Sequence, residues 1–338
     1  MFPAVEKELS KNPLFQAWKE NSVFERFFAI PQILVKEFSE EWVQKVKGLT
    51  GDGPLTFRFL ANLAKYVERI RGLEGYGRIR ERLFRVDEQF FPTFSEIEFI
   101  WWILQKVPST SVHLEYTFQS SSGKNPELKV DHGSDSAYFE VTAVTDYKEM
   151  CTILHYFNFF SAFQLSLKAL HGLSREIVVS FSEYPTEKML RYVYKTLNRQ
   201  AANKCFFFKE GDTGCSVALS EGNQVVFEMP MEFLRRKIKD KIEEKTVKFD
   251  KGNYNFVVLD VTPIVTKLEK QLDVVREYFN FSNNKLVNGT LLLSRLWTFE
   301  KLEPLYKTAI ICQANPLLDL RKTREMVYQL LPIPARAN

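Results

Sequence analysis

The stretch that decides the fold reads PELKVDHGSDSAYFEVT and spans residues 126–142. Two runs of strand-forming residues flank the turn sequence His-Gly-Ser-Asp at residues 132–135, which predicts a β-hairpin. If those four residues form the loop, Asp131 faces Ser136 across the hairpin. The same register places Glu127 directly opposite Glu140, with their Cβ atoms roughly 4.5–5.5 Å apart.

Side chains on a strand alternate between its two faces, and this stretch follows that alternation. The apolar set is predicted to pack on covering helices and consists of Ala137, Phe139, Val141 and Ala143. The opposite face carries Tyr138, Glu140 and Thr142 on the second strand, and Glu127, Lys129 and Asp131 on the first. A slip of one residue in the register would put the two glutamates on opposite faces.

Two carboxylates that face each other repel, and the cost rises where water is excluded. A shared proton, a basic side chain or a divalent cation would offset that repulsion. Because magnesium prefers carboxylate oxygens, Glu127 and Glu140 are candidate metal ligands. The alternative is a solvated hairpin face, on which both side chains are exposed and have no special role.

The chain divides into two parts of different character. Residues 1–90 carry apolar stripes at three- and four-residue steps, such as Phe59, Leu63 and Val67, which predict a helical N-terminal domain. Residues 94–338 alternate helical and β-rich runs, which predict an α/β domain with a mixed β-sheet flanked by helices. Its predicted helices cover about residues 94–106, 147–170, 185–202, 231–249 and 266–278. Its predicted strands cover about residues 112–118, 127–131, 137–144, 176–181, 205–208, 215–219, 225–229, 256–261, 290–294 and 309–312.

The hairpin resembles the core of the PD-(D/E)XK nucleases, which carry Pro-Asp on one strand and Glu-X-Lys on the next. Here Pro126 and Glu127 stand where Pro-Asp would, and residues 140–142 stand where Glu-X-Lys would. The predicted order helix, strand, strand, strand, helix, strand is also similar to that restriction-endonuclease-like core. The sequence departs from the motif twice, since Glu127 replaces the aspartate and Thr142 replaces the lysine.

The resemblance implies a metal-dependent nuclease that hydrolyses phosphodiester bonds. Magnesium (Mg²⁺) or manganese (Mn²⁺) would be held by Glu127 and Glu140, with Asp131 or Glu98 as further ligands. Glu98 lies on the preceding helix, from which the family often takes an additional acid. Because Thr142 cannot supply the motif's positive charge, the resemblance implies that a lysine comes from elsewhere, and the candidates are Lys129, Lys241 and Lys245.

A basic helix at about residues 231–249 is a candidate nucleic-acid surface. The residues predicted to contact phosphates are Arg235, Arg236, Lys239 and Lys241, together with His132 at the hairpin tip. Acidic residues interleave with the basic ones, so a plain solvated helix face is the alternative. We expect nucleic acid as the partner, with DNA ahead of RNA, and a possible protein partner at the helical N-terminal domain.

Composition limits the remaining functional classes. The chain has 338 residues with 45% hydrophobic and 26% charged residues, as globular proteins do, and a net charge of +4. Its four cysteines lack the spacing of a zinc site, and the apolar run at residues 99–104 is far too short to span a bilayer. Since no secretory signal pattern is present either, we expect a cytoplasmic protein that is not in a membrane. Phosphate-loop, dinucleotide-binding and serine-hydrolase motifs are lacking.

Two other functional hypotheses remain open on the sequence. The first is a catalytically inactive protein of the same fold that serves as a nucleic-acid or protein interaction module. The second is an unrelated α/β enzyme with a pocket near Asp260, which few residues support.

Overall fold

The structure is a computed structural model that describes most of the chain. The described residues are 31–50, 54–115, 125–171, 175–182, 208–209, 215–221, 225–228, 230–261, 268–281, 286–296, 305–313 and 318–331. The predicted helix at 185–202 lies outside them, as do residues 1–30, 116–118 and 205–207 of other predicted elements.

The N-terminal part is helical wherever it is described, as predicted. It forms the helices α1 (Gln32–Glu37), α2 (Glu40–Thr50), α3 (Pro54–Ile70) and α4 (Tyr76–Arg85). The apolar stripe of α3 is buried, and it shares one continuous hydrophobic core with the α/β part of the chain. The Trp42 indole N–H ties α2 to α4 by donating to the carbonyl of Leu83 over 3.0 Å. The division into domains near residue 90 stays a prediction.

A six-stranded mixed sheet forms the centre of the described residues. Its strands are β1 (Val112–Leu114), β2 (Leu128–His132), β3 (Asp135–Ala143), β8 (Tyr254–Asp260), β9 (Gly289–Leu296) and β10 (Leu305–Cys312). They lie side by side in that order. The first three run antiparallel as a meander, β8 and β9 are parallel to β3, and β10 is antiparallel to β9. The predicted α/β class with a mixed sheet is confirmed.

A second, four-stranded sheet differs from the single sheet that the sequence predicted. Its strands are β4 (Arg175–Phe181), β5 (Phe208–Lys209), β6 (Cys215–Glu221) and β7 (Val225–Glu228). Their order is β5-β6-β4-β7. The strand beside β3 is therefore β8, whereas β4, the next strand after β3 along the chain, belongs to the second sheet. Short apolar strands of this kind carry no pattern that specifies their partner, so sequence alone does not separate the two sheets.

Helices cover both faces of the central sheet. They are α5 (Phe90–Ile103), α7 (Met231–Thr246), α8 (Leu268–Phe281) and α9 (Leu320–Leu330), whereas α6 (Tyr147–His171) packs on the N-terminal helices and on the second sheet. Helix α5 packs on the apolar face predicted for β3, where the rings of Phe99 and Phe139 lie 5.1 Å apart. Helix α7 lies over the opposite face, which carries Glu140. None of the described helices is both long and apolar enough to cross a lipid bilayer.

Gly289 marks the closest approach between β9 and its neighbours. A Cβ atom there would lie 3.1 Å from the Phe256 ring and 3.2 Å from the carbonyl oxygen of Ile311. We expect Gly289→Ala to lower the free energy of unfolding by about 1–3 kcal/mol, the usual cost of overpacking. Urea denaturation measures this change.

Gly77→Ala is the matched control for that measurement. Gly77 lies in helix α4, and a Cβ atom added there meets nothing within 4 Å. We expect it to leave stability unchanged or to raise it by up to about 1 kcal/mol. A Gly289 variant as stable as this control would contradict the close packing of β9 on β8.

Candidate active site

The register of the β2–β3 hairpin is the predicted one. Asp131 pairs with Ser136, and the pairing continues to Leu128 opposite Phe139, which places Glu127 opposite Glu140. The turn itself is shorter than predicted, because residues 132 and 135 also pair and leave a two-residue loop. Gly133 adopts a φ of +62°, the left-handed conformation on which such tight turns depend. Shortening the loop by one residue on each side leaves the register unchanged.

The hairpin backbone itself holds the two carboxylates. The Glu127 N–H donates to Glu140 Oε1 over 3.0 Å, and the Val141 N–H donates to Glu127 Oε2 over 2.7 Å. Each acid thus accepts a backbone hydrogen bond from the strand opposite, just beyond the last ladder pair. Both carboxylates are therefore anchored independently of any other side chain.

The two glutamates are buried. Glu127 is 6% exposed and Glu140 is 0% exposed. The hypothesis of a solvated hairpin face is therefore wrong, because the end of α7 lies over this part of the sheet. Burying two carboxylates side by side carries a large desolvation cost, so their compensating partners must lie nearby.

Lys245 in the last turn of α7 and Lys248 just after that helix supply the compensation. Lys245 Nζ lies 3.0 Å from Glu127 Oε1 and 3.3 Å from Glu140 Oε2, the second at an angle outside hydrogen-bond geometry. Lys248 Nζ lies 3.1 Å from Glu140 Oε1. Lys245 was one of the three predicted lysines. Lys248 was missed as a site residue, although its three-residue spacing from Lys245 was a usable signal.

The other two predicted lysines contact different acids. Lys129 Nζ lies 3.0 Å from Asp131 Oδ1, and Lys241 Nζ lies 2.8 Å from Glu244 Oε2. Of the three predicted lysines, Lys245 therefore contacts the carboxylate pair, whereas Lys129 and Lys241 do not.

Asp131 lies apart from the carboxylate pair. It is four residues from Glu127 along the first strand, about 13 Å at the usual rise of ~3.3 Å per residue. Partial burial pushes its pKa up, but hydrogen bonds from Ser136, Lys129 and His113 lower it to about 2. Asp131 is thus a stable anion within a separate polar cluster.

Besides the predicted Glu98, helix α5 carries Glu96, whose pKa is affected by the charge of Glu127. Glu98 is fully buried and accepts a hydrogen bond from the Tyr66 hydroxyl over 2.7 Å. Glu96 forms an ion pair with Arg82 at 2.8 Å. Burial, together with the nearby charge of Glu127, raises the pKa of Glu96 to about 7 against the opposing effect of Arg82. Helix α5 is buried on nearly every side, so apolar periodicity could not show which glutamate approaches the hairpin.

Burial and mutual repulsion separate the pKa values of the two glutamates. For Glu127, burial raises the pKa, but the charges of Lys245 and Lys248 and the Val141 N–H overcome it, and the pKa falls below its usual value. For Glu140, burial and then the negative charge of Glu127 raise the pKa to about 8, although both lysines oppose this. Glu127 is therefore the stronger acid of the pair and Glu140 the weaker.

The predicted nucleic-acid contacts differ in their availability. Arg236 and Lys239 are exposed on α7, and His132 is partly exposed at the end of β2. Arg235 pairs with Glu277 at 3.1 Å, and Lys241 pairs with Glu244. Exposed ion pairs of this type are weak, so a phosphate can compete for these side chains. Binding of nucleic acid stays a prediction.

Two carboxylates, Glu127 and Glu140, are the protein ligands that this site could offer to a divalent cation. Among the described residues, no three His, Cys, Asp or Glu side chains converge in a way that could hold a metal. Glu127 Oε1 and Glu140 Oε2 nevertheless share one positive charge, the Lys245 ammonium. Magnesium is commonly bound by one or two carboxylates and retains several waters, so this donor set fits it better than it fits zinc.

Comparisons with protein-family models, with curated proteins and with solved structures found no match to this chain. The resemblance to the PD-(D/E)XK nucleases therefore stays a prediction based on the hairpin and on the order of the elements.

The raised pKa of Glu140 should make stability depend on pH. Its value rises from an ordinary 4.5 to about 8 on folding, so the folded chain binds the proton more tightly than the unfolded chain. This contribution to stability is fully present below pH 4.5 and is lost as the pH rises through about 8. Glu140→Gln cannot ionise and should escape this loss.

Thermal melting of both proteins across that pH range measures the effect. We expect the melting temperature of Glu140→Gln to rise relative to that of the unmodified protein between pH 4.5 and about 8, and the difference to level off above that. Parallel curves would mean that Glu140 is already ionised in the folded protein at acidic pH.

Proposed function

We propose that the Glu127–Glu140–Lys245 site is the centre of a divalent-metal-dependent phosphodiester hydrolase that acts on nucleic acid, with DNA as the first candidate substrate. One observation carries the proposal. A single lysine ammonium lies within 3.3 Å of two buried carboxylates that face each other across a hairpin. Two acids and one lysine are the groups expected of a metal-dependent nuclease site, and here the fold brings them together.

Each side chain has a role that its environment favours. Glu127, the stronger acid of the pair, and Glu140 would hold Mg²⁺ or Mn²⁺ from the same face of the hairpin. When bound, such a cation activates a water molecule and stabilises charge on the phosphate. Lys245 supplies the positive charge that Thr142 cannot, directed at the phosphate oxygens. Backbone hydrogen bonds hold both carboxylates in place before substrate arrives, which lowers the cost of assembling the site.

The topology also supports the proposal. Helix α5, the meander β1–β2–β3, helix α6 and a strand parallel to β3 occur in the order of the restriction-endonuclease-like core. The parallel strand is β8, and the second sheet is inserted between α6 and α7. Helix α7, which carries Lys245, lies in the chain between the inserted sheet and β8.

A non-catalytic interaction module is the second candidate, and one observation favours it. Lys245 and Lys248 together already balance the charge of Glu127 and Glu140 without any metal. On this hypothesis the cluster is structural, and the partner is nucleic acid at α7 or a protein at the N-terminal helices. Phe84 on α4, which is 51% exposed, would be part of that protein contact.

Incubation of the purified full chain with Mg²⁺ or Mn²⁺ and single- and double-stranded DNA or RNA tests the proposal. We expect metal-dependent cleavage that falls by about 100-fold or more in Glu127→Gln and in Glu140→Gln, the scale on which one electrostatic stabiliser acts. Glu41→Gln, which removes an exposed carboxylate beside Lys45 on α2, is the control and should cleave normally.

Melting measurements with and without metal separate the two candidates. A cation bound only to the folded chain raises the melting temperature by mass action, whereas the interaction module predicts no such gain. Absence of both cleavage and metal stabilisation would rule out the hydrolase.

A further inference from the structure

The ammonium of Lys245 lies between the two carboxylates that would hold the proposed cation. Its Nζ atom is 3.0 Å from Glu127 Oε1 and 3.3 Å from Glu140 Oε2, so one positive charge serves both acids. A divalent cation held by the same two carboxylates would occupy the same space between them. Two positive charges cannot share it, because their repulsion is strong where water is excluded.

The remaining oxygen of each carboxylate is held by other groups. Glu127 Oε2 accepts the Val141 N–H, and Glu140 Oε1 accepts the Glu127 N–H. Lys248 Nζ also lies 3.1 Å from Glu140 Oε1. None of these three contacts involves Lys245. The two carboxylates can therefore keep their positions when the Lys245 side chain leaves.

We propose that Lys245 is exchanged for the divalent cation, while Lys248 stays on Glu140. The inference rests on the proposed metal site. It adds that the Lys245 ammonium competes with the metal for the two carboxylates. Lys245 lies in the last turn of α7, and its ammonium sits on a flexible four-carbon chain, so rotation of the side chain can free the position without moving α7. The strength of its ion pairs then sets the metal concentration at which the site is loaded.

Exchange also gives the displaced ammonium a second use. After loading, Lys245 still projects from α7 beside the two carboxylates and can contact a phosphate group of the substrate. The same charge thus neutralises the acids before loading and contacts the phosphate afterwards.

Lys245→Met and Lys248→Met form a matched pair of variants for the test. Each removes one positive charge beside Glu140, but the Lys245 variant also clears the position between the carboxylates. The readout is the Mn²⁺ concentration that gives half of the maximal rise in melting temperature of the full chain. We expect Lys245→Met to lower this concentration by about tenfold or more, equivalent to about 1.4 kcal/mol, and Lys248→Met to lower it less.

The outcomes distinguish the exchange from the proposed function. If Mn²⁺ stabilises all three proteins at the same concentration, or if the Lys248 variant shows the larger change, the exchange is wrong and the metal site stands. If Mn²⁺ stabilises none of them, the proposed function fails together with the exchange.

A measurement on the unmodified protein covers the case in which Lys245→Met does not fold. Exchange predicts that Mn²⁺ increases the labelling of Lys245 by an amine-reactive reagent, followed by mass spectrometry. Lys45, exposed beside Glu41 on α2, serves as the internal reference and should not change. Unchanged labelling of Lys245 at a Mn²⁺ concentration that raises the melting temperature would overturn the exchange.

Discussion

Repulsion between two buried carboxylates on neighbouring strands is the constraint on which the rest of the site depends. Glu127 and Glu140 are fixed opposite each other by the hairpin register and lie beneath α7. Two backbone N–H groups and two ammonium groups offset the cost. Removing one partner from a buried ion pair typically costs about 3–5 kcal/mol, because the other charge is left uncompensated. The contacts of Lys245 and Lys248 with the pair therefore favour the docking of α7 at this place on the sheet.

The sequence predicted the geometry of the pair well, because both signals behind it are local. Strand alternation has a period of two residues, and a turn sequence specifies where the chain reverses. Together they determine the face and the register of Glu127 and Glu140, and an error of two residues in the loop did not alter either. The predicted β3 face with Phe139 inward is confirmed in the same way.

Features that depend on distant packing were not predictable. Glu96 and Glu98 are two positions apart on a helix that is buried on nearly every side, so no polar face distinguishes them. Three lysines were candidates in the sequence, with Lys129 the nearest along the chain, and the docking of α7 selects Lys245. The separation of β4 from the central sheet has the same origin, since pairing between strands far apart in sequence depends on the whole core.

The second sheet has a consequence for how the site comes into existence. Lys245 and Glu127 are 118 residues apart in the chain, and the strands β4–β7 lie between them. Contacts between residues so far apart in sequence form late, because closing a long loop costs conformational entropy before the new contacts can stabilise the chain. The hairpin, by contrast, is local and can form early. During folding the two glutamates are therefore solvated before they contact the lysines. The complete site forms only when the tertiary structure is nearly complete.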